Sequence, residues 1–112
     1  MNIANLKPEQ MESTLEITLA LHLKGTEITY GKFALGNDRK TAIETFNLLK
    51  GAKEHTGGCI IQVVLAQTMA DLPIPLDTIF CNMDQLKENV GIISREIFRI
   101  AQLEEKTIKP LQ

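Results

Sequence analysis

The densest chemical grouping in the sequence is Lys53-Glu54-His55-Thr56-Gly57-Gly58-Cys59, which sets an imidazole, a hydroxyl and a thiol around two glycines. A histidine near a cysteine can take the thiol proton and leave a nucleophile, and successive glycine amides can cradle an anion. Both chemistries need a context that this stretch lacks. A β-branched run follows the glycines where a phosphate loop would open a helix, and no Gly-Lys-Ser/Thr ending is present. Cys59, as the first residue of that run, is expected to face the core, away from a solvated His55. The stretch therefore reads as a turn that carries the chain from a helix into a strand, with the glycines free to take positive φ.

Other reactive side chains are scattered. His22 falls on the polar face of an alternating segment beside Glu16 and Lys24. His22, His55, Cys59 and Cys81 form no CxxC or HxxxH pair, so no metal is expected. Arg95 and Arg99 stand one helical turn apart and could grip a phosphate or carboxylate together, although Glu96 is placed to pair with Arg99 instead. Glu16, Asp71, Asp77 and Asp84 form no acid–base couple that spacing reveals. The candidate ligand-binding residues are thus His22, His55, Arg95 and Arg99, with no catalytic set and no cofactor. Cys59 and Cys81 come opposite one another if a hairpin is centred near Ala70. That would place them within disulfide reach, but two buried thiols are the expectation in a reducing compartment.

Composition narrows the function classes. The 112 residues suffice for one domain, with an N-terminal arm over 1–13 and a tail over 107–112. The chain is 44% apolar and 23% charged, as a folded globular protein is. Four Phe, one Tyr and no Trp leave little from which to build a base-stacking platform. A net charge of −2 with dispersed Lys and Arg provides no basic stripe for nucleic acid and no polybasic membrane arm. The first residues lack the apolar run of a secretory signal, and a cytoplasmic protein is expected.

The elements that must position these residues are legible from periodicity. From Thr14 to Lys24, Leu15, Ile17, Leu19, Leu21 and Leu23 alternate with mostly polar residues, the period of a half-buried strand. Lys24-Gly25-Thr26 marks a reversal into a second strand over Ile28–Leu35, where Gly31 suggests a bulge or close contact. Asn37-Asp38 offers a cap for a helix carrying Ala42, Ile43, Phe46 and Leu49 on one side and stopping at Gly51. Cys59 to Met69, apolar on both faces at its centre, is a third strand covered on two sides. Asp71-Leu72-Pro73 interrupts the chain before a fourth strand over Ile74–Cys81, which Pro75 assigns to an edge. A long helix then runs from Asp84 to about Lys106, with Leu86, Val90, Ile93, Ile97 and Ile100 on one stripe.

The predicted fold is therefore α+β, a two-layer ββαββα sandwich. Its four-stranded antiparallel sheet has the order 2-1-3-4, with both helices on one face. The other sheet face would carry Ile60, Val64 and Ala66, an apolar surface that needs covering. A second copy could do so, sheet to sheet or through a continuous edge, and a symmetric homodimer is expected; the competing cover is the N-terminal arm with Ile3, Leu6 and Met11. Two functions follow. One is a non-catalytic homodimeric interaction module, with off-stripe Ile92, Phe98 and Leu103 adding apolar surface. The alternative is a small-molecule-binding protein or enzyme with a pocket between sheet and helices.

Overall fold

A computed structural model describes residues 13–55, 57 and 60–107 of the chain, with side chains described as far as 102. Residues 1–12 of the N-terminal arm, Thr56, Gly58, Cys59 and the tail from 108 onward lie outside the described residues, as does the side chain of Leu103; Ser13, expected in the arm, opens the first strand.

The elements are β1 (Ser13–Leu23), β2 (Thr26–Ala34), α1 (Arg39–Phe46), β3 (Ile61–Met69), β4 (Leu72–Cys81) and α2 (Met83–Thr107). They form the predicted α+β arrangement, a four-stranded antiparallel sheet in the order β2-β1-β3-β4. The alternation in β1 does what it predicts: Leu15, Ile17 and Leu19 are fully buried on one face. Opposite them across the ladder, Leu65 and Val63 of β3 pair with Ile17 and Leu19 and are buried on the same face. Ala42 and Phe46 of α1, with Leu86 and Ile93 of α2, close this core, and Val90 and Ile97 flank it. Each methylene so removed from water contributes about 0.8 kcal/mol, so this aliphatic face dominates the folding energy.

Both helix starts are capped as an Asx residue permits. The Asp38 carboxylate accepts the Lys40 amide at 3.2 Å and the Thr41 hydroxyl at 2.6 Å. These bonds, the hydroxyl first, hold its pKa below the ordinary carboxylate value. At α2 the capping is reciprocal: the Gln85 amide donates to Asn82 Oδ1 at 2.8 Å, and the Asn82 amide donates to Gln85 Oε1 at 3.0 Å. Two orphan amides of the first turn are satisfied by one residue pair.

Several boundaries differ from expectation. Helix α1 ends at Phe46, not near Gly51, because Leu48 and Leu49 donate to Thr45 and Phe46 in tightened turns at 3.0 and 3.1 Å. Ile43, expected on its apolar side, is exposed. β4 begins at Leu72 instead of Ile74, since Ala70 and Asp71 both take positive φ (53° and 67°) and turn the chain within two residues. In α2, Ile92 is only 8% exposed and belongs to the interior, whereas Phe98 is 69% exposed as expected.

Two register shifts shape the sheet. Leu19 pairs with Gly31 but Ala20 with Thr29, so Tyr30 is the extra residue of a bulge in β2. Leu65 pairs with Asp77 and Ala66 with Pro75, which makes Leu76 the extra residue in β4. The edges differ in character. β4 carries Pro73 and Pro75 and is met near its end by Ala52, whose backbone exchanges two 2.8 Å hydrogen bonds with Phe80. A Cβ on Gly51 would stand 2.7 Å from the Phe80 carbonyl oxygen, so only glycine lets this loop approach so closely. β2, with neither proline nor such a cover among the described residues, is the open edge.

Candidate functional site

The fold brings His22 and His55 to the rim of one surface hollow of about 430 Å³, with Lys24, Thr26, Glu27 and Ile60 around them. β1 supplies His22 near its end, where the His22 amide donates to the Ile60 carbonyl at 2.9 Å and prolongs the β1–β3 ladder. The His22 Nε2 is hydrogen-bonded to Gln62 Oε1, with Glu27 Oε2 3.9 Å away. His55 turns its ring edge-to-face against Phe80, with centroids 5.1 Å apart. One imidazole is thus held by polar neighbours on the open sheet face and the other by an aromatic ring. Cys59, the thiol that sequence places near His55, lies outside the described residues.

The loop leading to His55 is pinned from below. Lys53 Nζ meets both carboxylate oxygens of Asp77 at 2.8 Å, and the Thr78 amide donates to Asp77 Oδ1 at 2.8 Å. The Lys53 hydrogen bond holds the Asp77 pKa below its ordinary value against the opposing cost of partial burial. Because both partners reach solvent, the pair contributes at most about 1 kcal/mol. Asn89 pins the same loop at its origin. Fully buried, it accepts the Lys50 amide at 2.7 Å and donates to the Lys50 carbonyl at 2.9 Å.

The arginine pair divides. Arg95 lines a second hollow of about 480 Å³ between the end of α1 and α2, with Leu48, Lys50, Lys87, Glu88 and Ile92. Arg99 is engaged by Glu96, whose Oε1 lies 2.8 Å from Nε and 2.7 Å from a terminal nitrogen; Glu96 Oε2 is also 3.9 Å from Arg95 Nε. The carboxylate between them occupies the grip that two guanidiniums would offer an anion. Among the described residues no group of three or more His, Cys, Asp or Glu could hold a metal ion. No helix there is long and apolar enough to cross a membrane.

Of the residues expected at an interface, Ile60 is 40% exposed, Val64 half-buried and Ala66 nearly buried within one chain. The cross-strand rows explain this. Thr18 stands between Lys32 and Val64, and Val64 beside Thr78, while Ala66 is flanked by Glu16 and Pro75. Longer and polar side chains shelter the small apolar ones, so this face is mixed and not a continuous apolar patch. The expected opposition of Cys59 and Cys81 is not the observed register: Ile61 faces Cys81, because the hairpin turns at Ala70–Asp71 and the β4 bulge adds a further residue.

Sequence reading missed Asn89 and Gln62. Asn89 had a visible signal, a polar residue within the Leu86–Ile93 apolar stripe. Gln62 had none, since its partner His22 is reached only through strand register. Comparison with protein-family models, curated proteins and solved structures finds no match to this chain.

Proposed function

We propose that the chain is a non-catalytic interaction module that associates with a second copy of itself through its sheet. The observation that carries this reading is the contrast between the two edges. β4 is blocked by Pro73, Pro75 and the Ala52 bridge, whereas β2 leaves Ile28 46% and Tyr30 55% exposed along a strand with no cover among the described residues. Open edges carry unsatisfied amides and carbonyls that pair readily with another strand. Ile60, Val64 and Ala66 contribute less than their types suggest, because neighbours on the same face already shelter two of them. Sedimentation velocity over a concentration series tests the reading. A dimer forming in the micromolar range is expected, and a monomer throughout would remove it.

A second reading has one observation in its favour. His22 and His55 share the rim of one hollow, which would suit a small anionic or aromatic ligand at the surface. Under this reading, His22→Ala would abolish a ligand-induced rise in melting temperature while leaving the unliganded melt unchanged.

A further inference from the structure

We propose that two copies pair edge to edge, β2 antiparallel to β2, about a two-fold axis passing between Thr29 and Tyr30, with Glu27 of each copy facing Lys32 of the other. The inference rests on the self-association reading and specifies its surface and register.

Side-chain direction comes first. Residues five apart on a regular strand face opposite sides of a sheet. The Tyr30 bulge changes that: Glu27 pairs with His22 and Lys32 with Thr18, both on the face opposite the buried Leu19, so Glu27 and Lys32 share one face. Opposed residues of an antiparallel pair must lie on the same face. A two-fold between Thr29 and Tyr30 meets this condition by setting Glu27 against Lys32 on the open face. On the core face it sets Ile28 against Gly31 and Thr26 against Phe33.

Backbone direction agrees. The Leu35 amide donates to the Leu15 carbonyl at 2.8 Å, so Leu35 is turned toward β1 and, by alternation, Phe33 and Gly31 are too. Lys32 consequently presents its N–H and C=O outward. At the other end, the two-residue turn at Lys24 and Gly25 closes between Leu23 and Thr26, which turns Thr26 and Ile28 inward and Glu27 outward. Glu27 and Lys32 are thus a hydrogen-bonded pair in this register, and the two-fold supplies the pair twice. Opposite charges directly across such a pair stabilise it, and like charges disfavour it.

A bulge and an edge lysine are also devices that keep a strand single. Here the bulge creates the charge match and Lys32 is answered by Glu27, so both would act to select a partner. Ile28 and Tyr30, exposed in one copy, would be covered in the pair.

Charge exchange tests the register. Glu27→Lys and Lys32→Glu should each weaken the dimer measured by sedimentation velocity by about tenfold or more, because each sets like charges together twice. The double variant, which restores both pairs in reversed sense, should return the dissociation constant to within about threefold of the parent. Glu27→Lys also loses the 3.9 Å approach to His22 of its own copy, a loss the double variant retains; recovery therefore reports on the intermolecular pair. Thr29→Pro, which lacks the outward amide, should abolish pairing while circular dichroism confirms the folded sheet; if that variant does not fold, the charge exchange decides. A dimer indifferent to all of these would overturn the edge register and leave self-association standing through another surface. A parent chain monomeric up to about 100 µM would overturn both.

Discussion

Asn89 carries more of the architecture than its surface neighbours because its amide is matched to one backbone unit. Its two hydrogen bonds to Lys50 satisfy the N–H and C=O of a residue that has left α1 and found no strand partner. Asn89→Ala would remove both bonds, and Lys50, itself exposed, would turn its amide and carbonyl to water. The expected loss is about 1–2 kcal/mol of unfolding free energy, read from the shift of the urea midpoint. Glutamine at the same position would not rescue it, since its extra methylene has to be fitted where the native side chain is already fully buried. The sites that sequence singled out are less consequential. Arg99 is satisfied within its own helix by Glu96, and His55 rests on Phe80. Residue types and spacing made the candidates legible, but their partners depend on register, and register follows from turns and bulges that a single strand does not announce.

Elements show where local chemistry conflicts with geometry. The β3–β4 hairpin turns through Ala70 and Asp71, both at positive φ, a conformation costing an ordinary residue roughly 1–2 kcal/mol. The β1–β2 hairpin eases the same requirement with Gly25 at φ 77°. Replacing Ala70→Asn together with Asp71→Gly supplies the residues that such turns favour, and should raise stability by about 1–2 kcal/mol, measured as an increased melting temperature without change in the circular dichroism spectrum. The same comparison explains an error of sequence reading. Asp71-Leu72-Pro73 resembles a long break because Asp and Pro are turn formers. Yet Pro73 sits on an edge strand opposite Thr68, where a missing amide costs the ladder nothing. Gly51 misled in a related way: read as a helix stop, it instead allows the close approach of a loop to β4.

For the molecule as a whole, the sheet order was legible because three constraints agree. β1 has one clean apolar face, β3 is apolar on both, and Pro75 excludes its strand from the centre, so the two central strands and one edge are assigned before any contact is known. The open face was the less legible half. A run of β-branched residues in β3 signals shelter on both sides, but Thr18, Glu16 and Thr78 in the adjoining rows provide much of it inside one chain. Apolar character along a strand measures burial, whereas the identity of the covering group lies in neighbouring strands and cannot be read along the same line.

The prolines and the Ala52 bridge on β4 bear on how far an assembly of this chain can grow. Were both margins of the sheet receptive, each added copy would offer a fresh margin and the sheet could extend into a fibre. With the β4 margin sealed, joining through β2 about the proposed two-fold would consume the receptive margin of each participant, and growth would terminate at the pair.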